Sequence, residues 1–119
     1  MKRKPLEETR SLRKPNKPLE EDELASRVDS LVGGWSVVEG HHLEKEFVFP
    51  GFRGALDFAF EVGKLAEVSD HYPELKISWG KTVIALWTRS AGGLTEIDFA
   101  FASRCDAAHE KLRGGAVSG

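Results

Sequence analysis

The sequence has one cysteine, Cys105, among its 119 residues. No disulfide framework can form within one chain, which fits a reducing compartment and leaves Cys105 as a small buried hydrophobe in a predicted helix. No apolar run approaches the ~20 residues that a membrane span needs. The N-terminus lacks an apolar signal core, so a cytoplasmic protein is expected. Internal repeats are absent. Gly92-Gly93 is not followed by Lys-Ser/Thr, so there is no phosphate-cradling loop. Metal-ligand spacing is missing too. His41-His42 invites that reading, but neighbours in an extended segment should point to opposite faces, and no Cys or spaced carboxylate pair completes a ligand set. No metal and no cofactor are expected.

Charge is scarce in net terms and uneven in distribution. Residues 1–20 hold seven Lys or Arg against three Glu, a local charge of +4 within a total of −2. No basic stripe continues into the remainder, so nucleic acid is not an expected partner. Residues 1–18 contain Pro5, Pro15 and Pro18 and few large apolar side chains, and are expected to be a disordered basic tail. A single domain should occupy 19–112, with a flexible C-terminal tail over 113–119 released by Gly114-Gly115.

Within that domain, Leu19 to Val32 predicts a first helix. Its acidic first turn suits the helix dipole, and Leu24, Val28 and Leu31 form one stripe. Trp35 to Val38 and Leu43 to Phe49 read as strands, with Lys45 spoiling the apolar face that Leu43, Phe47 and Phe49 share. Phe52 to Ser69 is a second helix. Phe52, Ala55, Leu56, Ala59, Val62 and Ala66 make one stripe, and Phe58 and Leu65 a second, which suggests contact with both its own sheet and a partner. Pro73 bars helix and pushes Tyr72 toward extended geometry. Leu75 to Trp79 and Thr82 to Thr88 read as strands around a tight turn at Gly80-Lys81, with Ile84 and Leu86 expected on opposite faces. Thr95-Glu96-Ile97-Asp98 has the pattern that opens a helix, continued by Phe101, Cys105, Ala108 and Leu112. The fold class is α+β: α-β-β-α-β-β-α, a four-stranded antiparallel sheet with three helices packed on one face.

Over about residues 19–108 the chain resembles the pterin-4a-carbinolamine dehydratase family. The resemblance rests on Trp35, the spacing of Phe47, Phe49 and Phe52, Glu67-x-x-x-His71-x-Pro73, Trp79-Gly80-Lys81, and Thr88 followed by Gly93-Leu94-Thr95-x-x-Asp98-Phe99. It implies a lyase that removes water from 4a-hydroxytetrahydrobiopterin to give quinonoid dihydrobiopterin, in recycling of the tetrahydrobiopterin used by aromatic amino acid hydroxylases. It also implies a homodimer joined at sheet edges, and in some members a tetramer packed through helices. The family supplies three histidines to this chemistry. Here His71 keeps the first, Tyr72 stands at the second and Arg89 at the third; these are the candidate catalytic positions. Glu67, Pro73, Trp79, Trp87 and Asp98 are the candidate pterin-binding positions.

The replacements change the chemistry available. A phenol with a pKa near ~10 is a poor proton shuttle at neutral pH, and a guanidinium cannot act as general base. An impaired catalytic site is expected. The family has also given rise to binding roles, among them a transcriptional coactivator and assembly chaperones for Rubisco in α-carboxysomes. A non-catalytic assembly factor with a protein partner, Rubisco subunits by analogy, is therefore the first expectation and a divergent active dehydratase the second.

Overall fold

Two β-hairpins and three helices alternate along the computed structural model, which describes residues 17–118. The basic tail expected over 1–18 lies outside the described residues except for its last two positions. Helix α1 is Glu21–Asp29, shorter than the 19–32 expected. The Leu19 N–H is donated to the Leu94 carbonyl at 2.8 Å, tying that residue to the loop before α3, and the helix opens where Glu23 accepts the Glu20 N–H at 3.0 Å. Strands β1 (Ser36–Val38) and β2 (His42–Val48) form the first hairpin. Helix α2 (Phe52–Ser69) has the bounds expected. Strands β3 (Glu74–Ser78) and β4 (Lys81–Leu86) form the second hairpin. A 3-10 turn, Arg89–Ala91, follows, and helix α3 is Glu96–Ser118. That helix continues past Gly114-Gly115, where a stop was expected. Glycine costs a helix only about 1 kcal/mol relative to alanine and, unlike proline, keeps its N–H.

The strands form one antiparallel sheet in the order β1-β2-β4-β3. The two hairpins meet where Leu43 lies opposite Leu86 and Phe47 opposite Thr82. Pleating puts Leu43, Phe47, Ile84 and Leu86 on one face, all buried. The expectation that Ile84 and Leu86 face opposite ways fails for this reason: residues two apart in a strand share a face. All three helices cover that face through Leu24, Phe58, Val62, Phe99, Phe101, Ala102 and Cys105. Each fully buried Phe or Leu contributes about 1.5–3 kcal/mol. Thr82 is buried among them without cost, since its hydroxyl donates to the Ala55 carbonyl at 2.8 Å. Glu44, Glu46 and Lys76 line the other, open face.

Lys45 does not spoil the apolar face as expected. Its ammonium bonds Asp106 on α3 at 2.7 Å and lies 4.7 Å from the Phe47 ring centroid. The other Asp106 oxygen accepts the Trp35 indole N–H at 2.9 Å. The charge is neutralised where it is buried, and its methylene stem serves as core. Among the described residues no helix is long and apolar enough to cross a membrane.

Candidate functional site

Three breaks in regular structure converge at one end of the β3–β4 hairpin. Helix α2 ends at Asp70 in the left-handed region, φ +53°, and the His71 N–H still reaches the Ala66 carbonyl at 3.2 Å. Aspartate tolerates that conformation better than most residues. Beyond the end of β4, Thr88 bridges to Gly93. Helix α3 then opens at Thr95, whose hydroxyl accepts the Ile97 N–H at 3.3 Å.

These breaks bring His71 against Asp98, across 27 residues of chain, with Nε2 2.7 Å from Oδ1. The Asp98 carboxylate is fully buried. Its second oxygen accepts the Thr88 hydroxyl at 2.8 Å and the Thr95 N–H at 3.0 Å. Because Thr88 gives its proton to Asp98, the Thr95 hydroxyl must be the donor in the 2.8 Å contact between the two threonines. An ionised carboxylate has no proton to give, so it accepts from His71 Nε2–H. The Nδ1 lone pair is then the basic position of the ring. Phe101 closes one edge of the imidazole at 5.9 Å between centroids.

The remaining candidates divide into two groups. Tyr72 adjoins His71 and is half exposed. The Glu67 carboxylate, and after it burial, raises the Tyr72 pKa above its ordinary value, so the phenol stays a donor at neutral pH. Arg89 reaches back to donate to the Tyr72 carbonyl at 3.0 Å, while its guanidinium carbon stacks 4.5 Å above the Trp87 ring. Glu67, His71, Tyr72, Pro73, Trp87, Arg89 and Asp98 therefore gather at one end of the sheet. Trp79 does not. It sits at the opposite tip of the β3–β4 hairpin and is 74% exposed.

Sequence reasoning missed two features. Thr88 and Thr95 hold the carboxylate, a role with no signal beyond the Thr-x-x-Asp pattern that marks the helix start. The rings of His41 and His42 were expected to point apart. They meet instead, Nδ1 to Nδ1 at 3.2 Å, and both lie against Trp87 at 5.2 and 5.8 Å. Glu39 and Gly40 have φ of +54° and +66°, and this left-handed turn removes the extended geometry on which the expectation depended. No cluster of three or more potential metal ligands occurs among the described residues. A groove of about 670 Å³ between α2 and α3, lined by Lys64, Arg104 and Lys111 among others, contains none of the candidate site residues.

Comparison with known proteins places this geometry in context. Residues 17–108 match the family model described as Pterin 4 alpha carbinolamine dehydratase. A protein of Alkaliphilus metalliredigens, provisionally named a pterin-4-alpha-carbinolamine dehydratase, is 43% identical over 89 residues, covering 75% of this chain and 80% of its own. One of Rubrobacter xylanophilus, similarly named, is 45% identical over 89 residues, covering 75% and 82%. Among solved structures, a transcriptional coactivator/pterin dehydratase from Brucella melitensis superposes with a TM-score of 0.73 at 30% identity, over 78% of this chain and 99% of that one. A pterin dehydratase-like protein that is a RuBisCO assembly factor in the alpha-carboxysome superposes with a TM-score of 0.55 at 23% identity, over 64% and 89%, a likeness of fold alone.

Proposed function

The chain belongs to the pterin 4 alpha carbinolamine dehydratase family, and from that premise we propose that it keeps a dehydratase-type pterin site reduced to one working imidazole, with low turnover. The observation that carries this reading is the His71–Asp98 pair. A buried carboxylate with both oxygens bonded orients one imidazole and leaves its Nδ1 basic.

Dehydration breaks the C–O bond to the leaving hydroxyl and forms a C=N bond to the adjacent ring nitrogen. The ring N–H loses its proton, and the departing hydroxide gains one to become water. His71 Nδ1 takes the first proton. Tyr72, kept protonated by Glu67, donates a hydrogen bond toward the leaving oxygen, and the proton that completes the departing water comes from solvent at this exposed edge. Arg89 does neither; it is anchored on the Tyr72 carbonyl and fixes the backbone that presents both side chains. A positioned acid or base group contributes about 10²–10⁴-fold in rate, so a site with one imidazole should turn over well below a three-histidine relative.

The test is turnover of freshly generated 4a-hydroxytetrahydrobiopterin by wild type and by the Tyr72→His/Arg89→His double variant. Measurable wild-type turnover, lost in His71→Ala and raised at least about tenfold in the double variant, is expected. A wild type with no turnover above His71→Ala counts against this reading and favours the second, a non-catalytic binding or assembly role of the kind known for the Rubisco assembly factor. That second reading rests on the two replaced histidines, and co-purification with Rubisco subunits is its own check.

A further inference from the structure

The β1–β2 turn carries two histidines that the His71 corner does not use. His41 donates its N–H to the Val38 carbonyl at 2.9 Å, and His42 is paired with Val38 across the hairpin. Two successive residues set against one break strand alternation, as in a β-bulge, and both imidazoles turn to the same side. Their Nδ1 atoms stand 3.2 Å apart, with the rings at 80° to one another. Trp87 lies against both rings, at 5.2 and 5.8 Å between centroids, and is itself packed on the core.

The distance fits a chelate. Zinc–imidazole bonds are about 2.0–2.1 Å, so two nitrogens at this separation subtend about 100–106° at a shared ion. That angle is close to tetrahedral and well clear of the right angle that a square-planar ion requires. A direct hydrogen bond between the rings is the alternative, and it needs one ring protonated on Nδ1 and the other with a bare Nδ1. An ion between them takes both Nδ1 lone pairs and leaves each Nε2–H to solvent, so both rings hold the same tautomer.

We infer that His41 and His42 form a zinc site, in which the two Nδ1 atoms chelate one Zn²⁺ and water takes the remaining positions. No third His, Cys, Asp or Glu joins the pair among the described residues. The shell is therefore open, and the site exchanges its ion where a site of four protein ligands would retain it. His41 is exposed, which gives the ion its path. Because Trp87 braces both rings, chelation orders little that is not already ordered. Binding fixes Trp87 in turn, and Trp87 carries the guanidinium that holds the Tyr72 carbonyl. The site stands whether or not the dehydratase chemistry operates.

The test is calorimetric titration of tag-free, metal-stripped protein with Zn²⁺. One equivalent should bind, and His41→Ala and His42→Ala should each weaken it by about 10²-fold, since the second imidazole acts at high effective concentration. A peptide of residues 37–43 with blocked ends has both side chains but no Trp87, and should bind at least about tenfold more weakly. Equal affinity in the peptide would overturn the built site, leaving only the chelation that any His-His pair offers. Zinc retained by the His41→Ala/His42→Ala double variant, or lost in His71→Ala, would place the ion elsewhere and overturn the inference. Absence of binding at millimolar Zn²⁺ would leave a plain hydrogen bond between the rings. A second readout uses Co²⁺, which accepts the same tetrahedral geometry and quenches nearby indoles. At saturation it should dim the fluorescence of wild type and leave that of Trp87→Phe nearly unchanged. Quenching that survives in Trp87→Phe would remove the ion from the turn.

Discussion

Helix α3 carries two aspartates, Asp98 and Asp106, that do the same thing at two places. Each takes a basic side chain from another element at 2.7 Å and fills its second oxygen with a further donor. Their bases are shielded to almost the same degree, with side-chain exposures of 13% for His71 and 12% for Lys45. Exposure does not separate the pair proposed to act on substrate from the structural one. Chemistry does. Lys45 has one nitrogen, already paired with Asp106 and lying over aromatic rings. His71 has a second nitrogen after bonding Asp98 and adjoins the half-exposed Tyr72. The buried carboxylate is the same device twice; on the proposed function, the residue it holds makes one a brace and the other a base.

The comparison can be broken most forcefully at Asp106. Asp106→Ala leaves the Lys45 ammonium buried without a partner and the Trp35 N–H without an acceptor. It should cost about 3–5 kcal/mol in urea denaturation. The Lys45→Met/Asp106→Leu pair should recover most of that loss, and a double variant as unstable as the single one would mean that the charges themselves hold the fold. At the other aspartate the effect should divide differently. His71→Ala should lose nearly all of any dehydratase turnover while costing no more than about 2 kcal/mol of stability. Asp98→Asn, which keeps the shape but misdirects the ring, should lower both. If His71→Ala destabilises as much as Asp106→Ala, the distinction between brace and base fails.

A smaller effect sharpens the contrast by separating His71 from another partly buried histidine. His109 rests on Phe47, Phe49 and Phe58 with centroids at 5.0 to 5.6 Å, and burial above all, then the Arg113 and Lys45 charges, holds its pKa below the ordinary value. The folded state thus binds a proton less readily than the unfolded one. Stability from this neutral ring is present above the unfolded pKa, about 6.5, and is lost as pH falls through that value toward the lower folded one. His109→Leu should flatten the decline in thermal midpoint between pH 7 and 5. A slope unchanged by that substitution would assign the pH response elsewhere.

Much of this molecule is legible residue by residue. The bounds of α2 follow from Pro50-Gly51 before it and from its apolar stripes, and Asp98 announces itself in Thr95-x-x-Asp98. The errors have separate causes. Lys45 looked like a flaw because its partner lies 61 residues away on α3. His41 and His42 looked divergent because the left-handed turn at Glu39 is not visible in residue types, glutamate being an unusual choice there. Trp79 joined the site candidates on pattern alone, and its position at the far tip of a hairpin is a matter of register.

Sequence by itself determined the order of elements, the helix faces they bury and which side chains are chemically able to move a proton, because periodicity, turn chemistry and side-chain chemistry are local properties. Tertiary structure decided which of those side chains meet. His71 gains Asp98, Lys45 gains Asp106, and Arg89 turns to the Tyr72 carbonyl because the packed sheet and helices bring distant backbone together, and only then does a carboxylate have a base to hold.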